Sequence, residues 1–147
     1  MKFAVGTDHA GFRYKEKVKA HLRSRGHQVE DFGTHSEERV DYPDFILPAA
    51  RAVATGACQL GLVFGGSGNG EAMTANKLKG IRCAVCWSQE SAALARGHND
   101  ANMISIGQRL VAEDQLTAIV DAWLDGAFEG GRHVPRIEKM GKLGQPQ

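Results

Sequence analysis

The chain has 147 residues, enough for one domain to bury its own core without disulfide or metal staples. Hydrophobic residues make up 42% and charged residues 24%, and the formal net charge is +1. That balance excludes a broad electrostatic footprint for nucleic acid or a membrane surface, and no apolar run is long enough to cross a bilayer. Glycine is in excess, 18 residues against a usual share of about 7%, without the period of a fibrous protein. The excess is therefore expected in particular tight loops.

The opening residues Met1-Lys2-Phe3-Ala4-Val5-Gly6 meet Thr7-Asp8-His9 too soon for a secretory leader. With three cysteines, an odd count, this reads as a cytoplasmic protein whose thiols stay reduced.

Phe3-Ala4-Val5 predicts a first strand ending at Gly6. Residues 12–25 predict a helix with Phe12, Val18 and Leu22 on its buried face and Gly26 as its stop. The basic residues Arg13, Lys15, Lys17, Lys19, Arg23 and Arg25 read as its solvated face. Residues 27–32 predict a short, more exposed strand closed by Gly33. Pro43 sits near the start of an Ala-rich helix that runs to Gly56. Leu60-Gly61-Leu62-Val63-Phe64 is the clearest buried strand, and it runs into Gly65-Gly66-Ser67-Gly68-Asn69-Gly70. A helix is expected over 71–76, a strand over 83–87, a helix over 89–97 and a strand over 103–106. Helices over 112–124 and 132–140 complete the chain, with a frayed tail over 144–147. Strands alternating with helices predict an α/β, doubly wound, Rossmann-like three-layer sandwich with a five-stranded parallel sheet, in a single domain spanning 1–147.

Ligands of such sheets bind beyond the C-terminal ends of the strands. That rule singles out Asp8 and His9, the glycine loop, Ser88, Gln108 and Arg109. The loop suits an anion, because glycines let backbone N–H groups approach it beside a helix N-terminus. Two nucleotide readings fail. Counted from Gly66, the sixth position of a dinucleotide fingerprint is Glu71, and where a Walker A loop needs Lys and Ser/Thr the chain has Glu71 and Ala72.

Backbone donors beside a carboxylate suit proton abstraction next to a carbonyl. Glu71 would be the base, and Ser67 with the loop N–H groups would hold the developing oxyanion. Residue type alone leaves open a Glu that only complements the helix dipole. His9 can equally be a loop residue, and the His98-Asn99-Asp100 group a turn. Arg132 and Arg136 share one helix face, either as solvated surface or as a phosphate clamp. Cys83-x-x-Cys86 lies on a strand, where side chains three apart point to opposite faces, so it reads as core thiols and not as a metal knot. No metal-spaced cluster is evident, and proton transfer without metal or cofactor is expected.

Taken in order, Gly6-Thr7-Asp8-His9-Ala10-Gly11, Asp41-Tyr42-Pro43, the loop through Glu71, Ala75-Asn76-Lys77, Gly80-Ile81-Arg82, His98-Asn99-Asp100, Gly107-Gln108-Arg109 and Gly131-Arg132-His133-x-x-Arg136 resemble the ribose-5-phosphate isomerase B family over nearly the whole chain. The resemblance implies an aldose–ketose isomerase acting on ribose 5-phosphate and ribulose 5-phosphate. It implies substrate contacts by Asp8 and His9, with His9 near the phosphate, and an enediolate hole formed by Gly66, Ser67, Gly68, Asn69 and Gly70. It assigns ring opening to His98 with Asn99 beside it, and substrate and phosphate binding to Arg109, Arg132 and Arg136. One branch of the family uses a Cys just before the Gly-Thr/Ser-Gly stretch. That position is Gly65 here, so the chain resembles the other branch, whose base is the Glu that closes the loop, Glu71. Another sugar phosphate, of the allose 6-phosphate or erythrulose phosphate type, stays open as substrate, as does a non-catalytic phosphosugar-binding module.

One expectation is independent of the resemblance. The helix ending at His98 starts near the C-terminal edge of the sheet, so His98 lies near the opposite edge, far from Glu71 of its own chain. If both serve one site, the protein is a homodimer, or a dimer of dimers, with sites shared between subunits.

Overall fold

A computed structural model describes residues 1–144; the rest of the predicted frayed tail, 145–147, lies outside the described residues. The strands are β1 (Lys2–Thr7), β2 (Gln28–Asp31), β3 (Leu60–Gly65), β4 (Cys83–Val85) and β5 (Met103–Gly107). The helices are α1 (Phe12–Ser24), α2 (Pro43–Ala54), α3 (Asn69–Ala75), α4 (Gln89–Asn99), α5 (Leu116–Leu124) and α6 (His133–Gly141). The described strands form one parallel sheet in the order β2-β1-β3-β5-β4. Among the described residues no helix is long and apolar enough to cross a membrane.

β3 carries the most apolar strand sequence and takes the central place. All six of its residues are buried, as expected when helices cover both faces of a parallel sheet. Alternation along the strands then divides the core in two. Phe3, Val5, Leu62, Phe64, Ile104 and Ile106 face α1, α4 and α5, where Val18, Leu22, Ala92, Ile119 and Trp123 meet them. Ala4, Val63 and Met103 face α2 and α3, where Ile46, Ala49, Val53 and Ala75 meet them. Each fully buried Leu or Ile in these layers stabilises the fold by roughly 1.5–3 kcal/mol. Trp123 buries its ring completely, and its indole N–H donates to the Ala101 carbonyl at 2.9 Å, so its one polar atom is satisfied.

Several boundaries differ from the sequence expectation. β4 stops at Val85, two residues before Trp87. α3 begins at Asn69, so Glu71 lies inside the first turn and does not open the helix. α5 begins only at Leu116, after a tight turn over Glu113–Gln115. α4 runs on to Asn99 and so carries His98 on its last turn.

One reading is overturned. Lys15 is not on a solvated face: its side chain has no exposed surface, and its Nζ lies 2.7 and 2.6 Å from the two carboxylate oxygens of Asp31. Lys15 stands three residues before Val18 and seven before Leu22, which puts it on the buried face of α1. Lys19 reaches the same carboxylate at 2.6 Å. Burial alone would push the Asp31 carboxyl up, but the two ammonium groups and the Gly33 N–H outweigh it and hold Asp31 below the usual carboxylate range.

Cys83 and Cys86 point into opposite layers as expected, although Cys86 lies one residue past the end of β4. Cys83 packs in the α2/α3 layer and Cys86 in the α1/α4/α5 layer, and all three cysteines are buried free thiols. Burial pushes the Cys86 thiol up to about 12 and the Cys83 thiol higher still, so neither supplies a thiolate near neutral pH.

Candidate active site

The strand register brings the ends of β1, β3 and β5 to one edge, with Thr7 beside Phe64, Phe64 beside Ile106 and Gly65 beside Gly107. The chain leaves β1 at Asp8, whose Oδ1 accepts from the Ala10 N–H at 2.9 Å and the Gly11 N–H at 3.2 Å. This cap folds the next residues into a tight turn and fixes His9. The Val40 N–H donates to His9 Nδ1 at 3.2 Å, which puts the ring proton on Nε2.

The glycine loop is held from the side by β5. The Gly65 carbonyl accepts from the Gln108 N–H at 2.8 Å and the Gly66 carbonyl from the Arg109 N–H at 3.0 Å. The buried Ser105 hydroxyl donates to the Gly68 carbonyl at 2.7 Å. Gly107 must lack a side chain, since a Cβ there would come within 2.5 Å of the Ser67 carbonyl oxygen. Gly68 turns the chain into α3 with φ of +84°, a conformation an L side chain rarely adopts. Ser67 Oγ accepts from the Asn69 N–H at 3.2 Å, which leaves its own hydrogen free to donate.

Glu71 is folded back against this loop. It is 4% exposed, and its carboxylate occupies the space next to Gly65: a Cβ at 65 would lie 2.0 Å from Oε1 and 2.2 Å from Cδ. Position 65 and the Glu71 carboxylate are therefore sterically coupled. Burial pushes the Glu71 carboxyl above its ordinary value and the charge of Asp8 adds to this, while the N–H groups of Glu71 and Gly68 hold it back. A buried carboxylate whose pKa is raised and which lines a cleft has the chemistry of a general base.

These groups line a cleft of about 460 Å³. Asp8, His9, Gly66, Ser67, Gly70, Glu71 and Arg109 of the predicted set border it. Gly68 of the loop is buried, and Asn69 is exposed with its N–H committed to Ser67. Arg39 and Tyr42 also line the cleft, and the sequence reading assigned them no role. Arg39 stands in an irregular segment where no period marks it. Tyr42 caps α2, and its ring lies 2.6 Å from where a Gly70 Cβ would be; the Asp41-Tyr42-Pro43 motif marked the residue without giving it a role. Ser88 and Gln108 prove structural: Ser88 forms a reciprocal cap with Ser91 at the start of α4, and the Gln108 side chain accepts from the Tyr14 N–H at 3.1 Å.

His98, Asn99, Arg132 and Arg136 are not among the residues lining this cleft. α4 begins past the C-terminal end of β4 and ends before β5, which takes His98 and Asn99 to the opposite edge of the sheet. There Arg82, just before β4, donates to the Asn99 carbonyl at 2.9 Å. His98 Nε2 lies 3.1 Å from Glu129 Oε2, and its ring stacks on His133 at 4.4 Å between centroids. Arg132 and Arg136 are exposed at the start of α6. Burial lowers the pKa of His133, and the neighbouring His98 and Arg132 lower it further.

A family model described as Ribose/Galactose Isomerase matches residues 3–140. The chain belongs to this family. Ribose-5-phosphate isomerase B of Escherichia coli K12 is 45% identical over 144 residues, 98% of this chain and 97% of that protein. Among solved structures, a ribose-5-phosphate isomerase B of Clostridium thermocellum superposes with a TM-score of 0.96 at 47% identity, covering 97% of each chain. One from Mycoplasma genitalium, solved with bound ribulose-5-phosphate, superposes at 0.92 with 36% identity over 96% of this chain and 94% of that one. The cleft at the C-terminal strand edge thus stands in the ribose/galactose isomerase fold, with a carboxylate at its centre.

Proposed function

We propose that this chain is a single-domain isomerase that interconverts D-ribose 5-phosphate and D-ribulose 5-phosphate through an enediolate, with Glu71 as base. The observation that carries this reading is the buried, upward-shifted Glu71 carboxylate packed against a loop of backbone donors. The relatives named ribose-5-phosphate isomerase B and the Mycoplasma genitalium complex with ribulose-5-phosphate support the substrate.

The steps follow from the groups present. Glu71 takes the proton from C2 of the open-chain aldose, and negative charge collects on O1. The loop N–H groups and the Ser67 hydroxyl stabilise that oxygen, each good donor contributing about a hundred- to a thousandfold in rate. A proton passes from O2 to O1, Glu71 returns its proton to C1, and the carbonyl is left at C2. No metal is needed, since these donors stabilise the charge. Asp8 orients the sugar, and His9 Nε2–H and Arg109 bind at the phosphate end.

His98 opens the furanose ring with Asn99 beside it, and Arg132 and Arg136 close on the phosphate. These four are supplied by a second copy of the chain, so the protein works as a homodimer with shared sites. Their position on the sheet edge away from Glu71 supports this. The three unpaired thiols suit a cytoplasmic setting.

A rate comparison over four-, five- and six-carbon sugar phosphates, with chelator present, tests the substrate and the metal-free step. Preference for ribose 5-phosphate is expected, and a faster four- or six-carbon substrate refutes it. Glu71→Gln abolishes exchange of substrate protons with heavy water but leaves phosphate-ligand binding detectable; preserved exchange identifies another base. Mixing inactive Glu71→Gln with inactive His98→Ala protein and allowing subunits to exchange restores activity in the hybrid. Confirmed hybrids without activity refute the shared site.

A further inference from the structure

Three side chains with metal-binding chemistry converge at the sheet edge away from the cleft, and the reaction uses only one of them. His98 stands on the last turn of α4, His133 is the first residue of α6, and Glu129 lies between α5 and α6. His98 Nε2 is 3.1 Å and His133 Nε2 3.5 Å from the same oxygen, Glu129 Oε2. One donor atom from each of the three lies within 4.8 Å of the others. The imidazoles stack with planes 18° apart, and each lies with Nε2 near the same carboxylate oxygen.

We propose that His98, Glu129 and His133 form a site for a divalent transition-metal ion of the zinc class, and that its occupation silences the isomerase by withdrawing His98 from ring opening. The inhibitory half rests on the role given to His98 under Proposed function; the binding half does not.

The donor set selects the ion. Two imidazole nitrogens and one carboxylate oxygen suit zinc and its neighbours, whereas calcium and magnesium require mostly oxygen ligands. At zinc–ligand bonds of about 2.0–2.2 Å, adjacent corners of a tetrahedron are roughly 3.4 Å apart. The two nitrogen–oxygen distances fall on either side of that value, and the stacked rings would turn about their side-chain torsions to aim both nitrogens at one ion. The backbone is already in place. The Glu129 N–H donates to the Gly97 carbonyl at 2.9 Å, which ties the Glu129 segment to the end of α4, and the His133 N–H donates to the Gly130 carbonyl at 3.2 Å. The Glu129 side chain is 59% exposed in the single chain, which leaves room for water at a fourth position. Arg132 and Arg136 place positive charge near His133 and weaken the attraction for a cation.

The competing reading is a carboxylate that only accepts an N–H from each imidazole. Protein stripped with chelator is titrated with Zn²⁺ by calorimetry and with Co²⁺ by visible absorption, beside folded His133→Ala and Glu129→Gln. The proposal expects one ion per chain, a tetrahedral Co²⁺ spectrum, and binding at least about tenfold weaker in each variant. Isomerase activity should fall with site occupancy and return on adding chelator. No saturable binding, or binding unchanged in both variants, overturns the site. Binding that depends on these residues but leaves turnover intact overturns the inhibitory step. If metal-free protein does not turn over ribose 5-phosphate, the proposed function fails, while calorimetry, which needs no turnover, still decides the site.

Discussion

Gly65→Ala separates catalysis from folding in this protein. The added Cβ would lie 2.0 Å from Glu71 Oε1, 2.2 Å from Cδ and 2.6 Å from Oε2, and these carboxylate atoms are its nearest neighbours. Gly65 ends β3 without a positive φ, so alanine fits the backbone there. The carboxylate is the far end of a flexible side chain and can swing away, which keeps the folding cost small. To reach even a tight contact of about 3 Å it must retreat by roughly 1 Å, and a displacement of that size costs on the order of a hundredfold in rate when the group must meet a reacting atom. Turning toward solvent would also remove part of the burial that raises its pKa. A coupled isomerase assay beside a thermal melt should therefore show kcat/KM lower by about a hundredfold with Tm close to wild type. Near wild-type kcat/KM in the folded variant refutes the placement of the base; a collapsed Tm refutes the claim that the clash is relieved by the side chain.

Three further outcomes follow from the charges. Glu71 has a folded pKa above its unfolded one, so its protonation favours folding and its ionisation at higher pH costs stability. Glu71→Gln should thus raise Tm at pH 7, with the gain vanishing below about pH 4, and melts across that range that show no such gain contradict the buried base. Asp31 is the opposite case: its folded pKa is depressed, so its stabilisation is present above the unfolded value near pH 4 and lost as pH falls through the lower folded value. Lys15→Met should lower the unfolding free energy by about 3 kcal/mol at neutral pH, the low end for a broken buried pair because Lys19 remains on Asp31, and the deficit should narrow in acid. Arg136→Ala should weaken binding of phosphorylated sugars far more than of their unphosphorylated parents, and an equal effect in binding assays removes it from the phosphate clamp.

Much of the site was legible because it is local. The glycine loop, Ser67 and Glu71 occupy a short contiguous stretch after the most apolar strand, and strand-end logic alone points to Asp8, His9 and Arg109. Arg39 was not legible and Tyr42 carried a motif but no role, because their approach to the loop depends on how the segment before α2 crosses the strand edge. Lys15 carried the correct helical spacing for burial, but a lysine among other basic residues reads as surface until its partner on β2 is seen. Glu129 and His133 are four residues apart, yet only the packing of the Glu129 segment against the end of α4 brings them to His98.

The sequence by itself determined the alternation of strands and helices, the buried central strand, the glycine loop with the acid that closes it, and the placement of the cysteines in the core. Each rests on a period or a contiguous motif that neighbouring residues enforce on one another. Tertiary structure decided the rest: that β5 lies between β3 and β4, that β5 clamps the loop through Ser105 and Gly107, and that the Glu71 carboxylate fills the space beside Gly65. Those contacts join residues far apart in the chain, and their distances are set by how two helical layers close on one twisted sheet, which no local pattern records.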